Sequence, residues 1–302
     1  MKTAGLLLVD KPSDWTSHDV VAKVRGLAGT RRVGHAGTLD PMATGLLILG
    51  LNAATKLLTF LVGESKTYET TIRLGANTIT DDREGEVLTL ADPAVVGSIT
   101  PQQIESVLAT LRGDILQIPS SVSAIKVDGK RAYAKVRSGD EVKLAARPVT
   151  ISRFELLGTP QLVENGQYLD IQAVIDCSSG TYIRALARDL GASLGVGGHL
   201  TALRRTRIGH YTISQAQPLA NLKSGELPIL SAADAAAQQF ERRSLDEQEV
   251  IDIRHGKRIS SRDSKSKEVL AGISQQGELV ALLERSGNQL KSVVVFAQES
   301  ND

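Results

Sequence analysis

The sequence contains a single cysteine, Cys177, and only five histidines among its 302 residues. One cysteine cannot form an internal disulfide, and so few scattered residues of these two types exclude a structural zinc site of the Cys/His kind. Long hydrophobic runs are missing too. The longest stretches without Asp, Glu, Lys or Arg, 41–55 and 208–222, are interrupted by Gly, Asn or Pro, whereas a membrane-spanning helix needs roughly 18 to 20 apolar residues. The apolar run near the amino terminus is also too brief for a signal peptide. We therefore expect a soluble cytoplasmic protein without a metal.

An excess of charge of either sign is also absent, since 35 Lys and Arg balance 34 Asp and Glu. The overall charge therefore predicts neither a nucleic-acid partner nor an acidic one. Hydrophobic residues make up 41% of the chain and charged residues 23%, which is typical of a globular protein with a sizeable core and excludes disorder, collagen and coiled coil. The length corresponds to two average domains, or to one large domain with a small addition.

The balanced total hides three basic clusters. Residues 123–153 carry eight Lys or Arg against three acidic residues, residues 181–209 carry five against one, and residues 254–267 carry six against one. Clusters of this size fit contact with the phosphate backbone of RNA or DNA. Solvated surface charge explains any one of them equally well. Three together favour a nucleic-acid partner without establishing it.

Hydrophobic periodicity predicts a mixture of strands and helices. From Lys66 the pattern alternates strictly, so Tyr68 is expected to point inward. Thr100 caps a predicted helix, with Pro101 at its first position and Gln103 completing a capping box. The other predicted elements are strands at 6–9, 45–51 and 169–176, a helix capped by Ser17 and ended by Gly29, and a helix from Ile183 to Leu194. Because no regular βαβ repeat links them, we expect an α/β (α+β) fold with a mixed, largely antiparallel central sheet flanked by helices.

The composition shifts after about residue 223. A short helix at 245–255 leads into three strand-like runs, 268–273, 278–284 and 290–296, separated by turns with Gly277 and Gly287. Residues 241–302 are therefore predicted to form a small β-rich domain. Residues 1–240 are predicted to form the main domain.

The segment from Gly34 to Gly45, Gly-His-Ala-Gly-Thr-Leu-Asp-Pro-Met-Ala-Thr-Gly, is the most informative in the chain. Pro41 favours an extended conformation at Asp40, and the glycines allow a tight turn and the close approach of a ligand. The loop therefore presents a carboxylate just before a buried strand. An aspartate that merely caps a turn would give the same pattern, and the spacing does not match a phosphate-binding P-loop.

This segment resembles the catalytic motif of the TruB family of tRNA pseudouridine synthases. The resemblance continues in order over roughly residues 5–220, and its further motifs are Lys66-Thr67-Tyr68, Arg73-Leu74-Gly75 with Asp82, Ser123-Ala124-Ile125-Lys126, Cys177 to Arg184, and His199-Leu200 with Leu203 to Thr206. Many members have paired prolines where this chain has Ser120-Ser121 after Pro119. The resemblance implies the pseudouridine synthase fold. For the carboxyl-terminal domain it implies a PUA-like RNA-binding domain.

The activity that the resemblance implies is isomerisation of uridine 55 in the T-loop of tRNA to pseudouridine. The base leaves C1′ through N1, turns over and rejoins C1′ through C5, so no cofactor is expected. Asp40 matches the family's catalytic aspartate. It could attack C1′, stabilise an oxocarbenium-like centre or remove the C2′ proton, and the sequence does not choose among these roles.

The resemblance also implies the surroundings of that aspartate. Tyr68 would stack on the flipped uracil and handle the proton at C5, Leu203 would wall the pocket, and Arg184 would pair with Asp40 and keep it ionised. Tyr182 would pack beneath the pocket. His35 would fill the space that the everted base leaves.

Phosphate contacts are expected from two of the basic clusters. Residues 123–153 resemble a thumb-like insertion that closes over RNA, with contacts from Lys126, Lys130 and Arg131. Further contacts are expected from Arg204, Arg205 and Arg207. The predicted partner is the T-stem and loop of tRNA, with no membrane and no protein partner, and the protein is expected to be a monomer.

Two other hypotheses compete with the stand-alone enzyme. One is an RNA-binding or RNA-folding module without activity, which the joint presence of Asp40, Tyr68 and Arg184 counts against. The other is a guide-RNA-dependent pseudouridine synthase, which shares the aspartate motif but relies on partner proteins, of which the sequence gives no sign.

Overall fold

The computed structural model describes residues 4–120, 126–127, 130–131, 144–261 and 269–296, and it describes no side chain within 121–143. In chain order the strands are β1 (Gly5–Lys11), β2 (Val33–His35), β3 (Thr44–Leu51), β4 (Lys66–Leu74), β5 (Ala76–Thr78), β6 (Val87–Leu90), β7 (Gly113–Gln117), β8 (Lys126–Val127), β9 (Lys130–Arg131), β10 (Arg147–Leu156), β11 (Gln161–Val163), β12 (Tyr168–Cys177), β13 (Gly198–Ile208), β14 (Tyr211–Thr212), β15 (Gln217–Pro218), β16 (Leu230–Ser231), β17 (Glu241–Leu245), β18 (Ile259–Ser260), β19 (Leu270–Ser274), β20 (Leu279–Ser286) and β21 (Gln289–Val295).

The helices are α1 (Ser17–Ala28), α2 (Leu58–Val62), α3 (Pro93–Gly97), α4 (Pro101–Thr110), α5 (Ile183–Ser193), α6 (Ala232–Gln239) and α7 (Glu247–Arg254). Short 3₁₀ turns lie at Asn52–Leu57, Glu164–Gly166, Ile213–Gln215 and Leu219–Asn221. None of the helices in the described part of the chain is long and apolar enough to cross a membrane.

The chain divides into two compact units. The first comprises Met1–Pro41, Gly45–Val62 and Gly209–Asp302, and the second comprises Met42–Thr44 and Gly63–Ile208. The carboxyl-terminal residues thus group with the amino-terminal ones. The predicted boundary between residues 240 and 241 stays a prediction.

In the first unit, the apolar run of β1 is buried between two neighbouring strands. β1 pairs antiparallel with β3 and parallel with β15, and its side chains are buried on both faces apart from the half-buried Asp10, so the strand needs no polar face. Helix α1 packs Val20, Val21 and Val24 into the same core as Leu7 and Leu49. A hydrophobic stripe at helical spacing thereby covers the strands that lead into and out of the loop with Asp40.

The start of α1 lies one residue earlier than predicted. Thr16 is the N-cap, and its side chain accepts a hydrogen bond from the Asp19 amide while the Asp19 carboxylate accepts one from the Thr16 amide. The prediction of Ser17 as the cap is therefore wrong, because Thr16 has the extended backbone of a cap and an acidic partner three residues on. Gly29 ends the helix with φ +59°, as predicted.

The carboxyl-terminal part of the first unit forms its own small sheet. Its strand order is β17-β19-β20-β21-β18, and the pairs are antiparallel except for β17 with β19. Leu245, Ile253, Leu283 and Leu290 lie in its core. The three predicted strands are confirmed as β19, β20 and β21, and the β-rich character of this region is confirmed with them.

The second unit is built on an antiparallel sheet with the order β13-β4-β12-β10-β7. The alternation predicted for β4 is confirmed, since Tyr68, Thr70, Ile72 and Leu74 are buried. Helix α4 has the predicted capping box and the proline at its first position. Together the two units confirm the predicted fold class, with mixed, largely antiparallel sheets flanked by helices.

Candidate active site

The loop that carries Asp40 is held by a buried serine. The Ser17 hydroxyl accepts a hydrogen bond from the Leu39 amide at 2.9 Å and lies 3.2 Å from the Leu39 carbonyl oxygen, to which it donates. Ser17 is 1% exposed and Leu39 is 4% exposed. Because both backbone groups of Leu39 bind one hydroxyl, the residue before Asp40 has a fixed position.

A buried lysine holds the other side of the loop. Lys11, which is fully buried, donates from Nζ to the carbonyl oxygens of Pro41 at 3.0 Å and Trp15 at 2.6 Å. The Pro41 carbonyl also accepts from the Asp14 amide at 2.9 Å. Both neighbours of Asp40 are thus anchored, and its half-buried carboxylate is presented from a fixed backbone, as a catalytic group requires.

His35 stands at the entrance to the same loop. It ends β2, and the next residue, Ala36, donates its amide to the Ile48 carbonyl at 2.9 Å. Gly37 then turns with φ +88°, which only glycine adopts readily. The half-buried His35 ring meets His18 edge-on, with 5.7 Å between ring centres.

Replacing Ser17 with alanine tests whether this anchoring matters. The change leaves two buried backbone groups of Leu39 without their partner, which costs about 1–3 kcal/mol of folding free energy. We expect the single-turnover rate on RNA to fall at least about tenfold, because misplacement of a reacting group by ~1 Å costs up to ~100-fold. Ser224→Ala, which removes a hydrogen bond to the Leu27 carbonyl elsewhere in this unit, is the matched control. A Ser17→Ala variant that reacts at the wild-type rate would contradict this role.

Tyr68 lies in the second unit and faces inward, at 7% exposure. It stands opposite Arg205 on β13 and opposite Ile175 on β12. Leu203, also 7% exposed, stands opposite Thr70 and therefore shares the Tyr68 face of the sheet. Two of the residues predicted to line the pocket thus belong to neighbouring strands and one face.

The predicted phosphate contacts of β13 differ in their surroundings. Arg205 is 1% exposed, because strand alternation turns its side chain to the Tyr68 face. A phosphate therefore has no exposed surface to contact there. Arg207 donates to Thr67 at 2.8 Å and lies 3.6 Å from the Asp176 carboxylate. Arg204 is half-buried, with its Nη1 3.4 Å from the Thr44 hydroxyl, and is a better placed candidate for RNA contact than Arg205.

Arg184 is the second residue of α5 and is 6% exposed. Its Nη1 donates to the Thr80 carbonyl at 2.8 Å and to Asp82 Oδ2 at 3.2 Å. The guanidinium is therefore fixed by two partners from one loop. Arg184 lies in the second unit and Asp40 in the first, and their predicted pairing stays a prediction.

Asp82 is the functional candidate that the sequence analysis placed in a motif without giving it a role. It is 2% exposed, and its Oδ1 accepts from the Thr80 hydroxyl and from the Glu84 amide at 3.0 Å. Its own carbonyl accepts from the Thr78 hydroxyl at 2.8 Å. The sequence did contain a signal for this role, since Thr78, Thr80 and Asp82 precede Gly85 at a spacing that indicates a turn closed by side-chain hydrogen bonds.

Among the remaining predicted residues, the structure describes Tyr182 with its side chain and Lys126, Lys130 and Arg131 by their backbone pairing alone. Tyr182 is the half-buried N-cap of α5. In the predicted insertion, β8 pairs with β9 through Lys126 opposite Arg131 and Val127 opposite Lys130. The side chains of Lys126, Lys130 and Arg131 lie outside what the structure describes. Within the described ranges, no three His, Cys, Asp or Glu side chains are grouped so that they could hold a metal ion.

Three family models cover most of the chain. The "TruB family pseudouridylate synthase (N terminal domain)" matches residues 25–183, the "tRNA pseudouridylate synthase B C-terminal domain" matches residues 184–231, and "tRNA Pseudouridine synthase II, C terminal" matches residues 240–297. The chain belongs to the TruB family. The resemblance on which the sequence analysis relied is thereby confirmed, and with it the interpretation of this TruB-family chain as an enzyme.

Two tRNA pseudouridine synthases B are similar to this chain along almost its whole length. The chain is 54% identical over 295 residues to the tRNA pseudouridine synthase B of Leifsonia xyli subsp. xyli, covering 97% of this chain and 96% of that one. It is 50% identical over 296 residues to that of Mycobacteroides abscessus, covering 98% and 97%.

Among solved structures, the TruB-family chain is similar in fold to one described as an H/ACA RNP bound to a substrate RNA containing 2′-deoxyuridine. The TM-score is 0.70 at 22% identity, covering 98% of this chain and 86% of that one. A Cbf5-Nop10-Gar1 complex is similar, with TM-score 0.70 at 23% identity and 97% and 85% coverage. These likenesses confirm the predicted pseudouridine synthase fold.

Proposed function

We propose that this protein isomerises uridine 55 in the T-loop of tRNA to pseudouridine, acting alone and without a cofactor. The observation that carries the proposal is the loop with Asp40. In a chain of this family, that loop presents one half-buried carboxylate from a backbone that Ser17 and Lys11 hold on both sides.

The proposed reaction needs a carboxylate at the sugar. The N1–C1′ bond breaks, the detached base turns over and the C5–C1′ bond forms, while the C5 proton leaves and N1 gains one, so that atoms balance. Water must be kept out, because it would trap the sugar as an abasic site. The burial of Tyr68 and Leu203 on one face of the second unit's sheet, beside the buried Arg205, supports a lining that excludes water from such a site.

The uridine has to leave the folded T-loop before it can react. Extruding a stacked base costs a few kcal/mol, and binding energy from the RNA backbone would offset it. In the proposal His35 fills the vacated space and Tyr68 stacks on the uracil. Arg184 pairs with Asp40, and the basic residues of the insertion hold the phosphates.

A transcript of the T-stem and loop separates the proposal from its competitors. Product from the purified protein alone is the expected result. Binding without product would indicate an RNA-binding module, and product that depends on an added guide RNA would indicate a guide-dependent synthase.

The proposed phosphate contacts predict a change in salt dependence. Replacing Lys126, Lys130 and Arg131 with alanine should weaken RNA binding and lower the slope of log affinity against log salt by about 1 for each phosphate that is no longer neutralised. The single-turnover rate at saturating RNA should stay unchanged. Lys223→Ala, outside the basic clusters, is the control. An unchanged slope in the triple variant would contradict these contacts.

A further inference from the structure

Gln117, at the end of β7, makes a two-way contact with the start of the helix that carries Arg184. Its Oε1 accepts from the Tyr182 amide at 2.8 Å, and its Nε2 donates to the Tyr182 carbonyl at 3.0 Å. Gln117 is 2% exposed. Tyr182 is the N-cap of α5 and makes no side-chain capping bond of its own. A side chain from β7 therefore binds both backbone groups of the residue at which α5 begins.

A second contact from the same segment reaches α5 farther along. The Ile118 carbonyl accepts from Arg188 Nη2 at 2.7 Å. Residues 182 and 188 are separated by about 9 Å along a helix axis, and Arg184 lies between them. The backbone of Tyr182 and the side chain of Arg188 thus attach α5 to the segment 117–118 on both sides of Arg184.

The guanidinium of Arg184 depends on that position. It reaches the Thr80 carbonyl and Asp82 from the first turn of α5. A shift of the first turn would carry the guanidinium with it, and a displacement of ~1 Å at a reacting group costs up to ~100-fold in rate.

We propose that Gln117 is a positioning residue for the reaction, holding the first turn of α5 so that Arg184 keeps its place. The inference rests on the proposed function. Gln117 touches neither the RNA nor the reacting atoms in this account, and it acts through the Tyr182 backbone alone.

The test compares Gln117→Leu with the wild type in single-turnover assays on the T-stem-loop transcript. The leucine removes both hydrogen bonds at similar volume, so the rate at saturating RNA should fall about 10- to 100-fold, with little change in RNA affinity. Gln167→Leu is the matched control, because Gln167 also donates its side-chain amide to a distant backbone carbonyl of this unit, that of Ala91 at 3.2 Å. This control should keep the wild-type rate.

Gln117→Glu supplies a second readout, measured only over the pH range in which the variant is fully folded, because its stability also depends on pH. An ionised glutamate keeps the acceptor for the Tyr182 amide and loses the donor to its carbonyl, whereas a protonated one regains the donor. Burial raises the pKa of such a carboxyl. The ratio of variant to wild-type rate should therefore rise as the pH falls. The same ratio decides the matter if Gln117→Leu does not fold.

Three results would overturn the inference: a folded Gln117→Leu variant with the wild-type rate, a loss confined to RNA affinity, or a Gln117→Glu ratio that does not change with pH. Failure of the proposed function looks different, since it would leave the wild type inactive on the transcript or Asp40→Asn fully active.

Discussion

Replacing Arg184 with methionine is expected to lower the single-turnover rate of pseudouridine formation by about a thousandfold, which corresponds to about 4 kcal/mol of barrier. The variant should also unfold more easily by about 3–5 kcal/mol, because a buried carboxylate is left without its partner. That carboxylate is Asp82, whose side chain is 3% exposed in the pair with Arg184. Rate and stability are thus both expected to fall, for different reasons.

A second variant separates the two effects. In the double variant Arg184→Met, Asp82→Asn neither charge remains, and replacing both members of a buried pair is often nearly neutral for stability. We expect thermal stability to recover most of the loss while the rate stays low, because the proposed interaction of Arg184 with Asp40 is still missing. The measurements are thermal unfolding and single-turnover kinetics on the T-stem-loop transcript.

Arg73→Met is the matched control for this pair. Arg73 binds Asp170 at 2.8 Å in the same unit and is 20% exposed at its side chain, so its loss should cost less stability and leave the rate at saturating RNA unchanged. Recovery of the wild-type rate in the double variant would contradict the account, since Arg184 would then be a structural residue only.

Local signals predicted much of the framework. The capping box and proline that begin α4 act within one turn, and the alternation of β4 from Lys66 to Leu74 reflects one buried face of a sheet. The inward position of Tyr68 followed from that alternation. Such features can be predicted from the sequence because the residues that interact lie within a few positions of one another.

Contacts between distant residues could not be predicted in this way. Lys11 reaches Pro41 across 30 positions, and Arg184 reaches Asp82 across 102. Lysine is seldom fully buried, so a lysine at the end of β1 gave no reason to expect an anchor for the Asp40 loop. Gln117 was missed for the same reason, since its partner is the backbone of Tyr182.

Two differences between the sequence-based expectations and the structure have local causes. Thr16 and Ser17 both suit an N-cap, and only the partner Asp19 distinguishes them, since it lies three residues after Thr16. Arg205 was expected to contact phosphate as part of the basic cluster at 181–209. The alternation from Leu203 instead turns it inward. Burial, and to a smaller extent the positive charge of Arg205, lowers the pKa of Lys66 to about 8.

The largest effect is expected at Asp40. Asparagine has nearly the same shape, and the two neighbours of Asp40 are held through their backbone by Ser17 and Lys11, so Asp40→Asn should leave the loop in place. What it removes is the negative charge and the basicity of the carboxylate, which the proposed reaction needs at the sugar. Loss of an oriented catalytic carboxylate costs on the order of 10⁴ in rate in a well-studied hydrolase. We expect a loss of at least about a thousandfold here, with RNA affinity little changed.

Asp14→Asn is the matched control for this change. Asp14 is an exposed aspartate of the same unit, and its contact with Pro41 runs through the backbone amide, which asparagine retains. Its φ of +65° is also one that asparagine tolerates. The control should therefore bind RNA and react like the wild type.

The most direct test is single-turnover formation of pseudouridine at position 55 of the T-stem-loop transcript by purified wild type, Asp14→Asn and Asp40→Asn. The account predicts product at equal rates from the first two proteins, and from Asp40→Asn a normal complex with RNA that yields almost no product. Formation of pseudouridine by folded Asp40→Asn at the wild-type rate would contradict it.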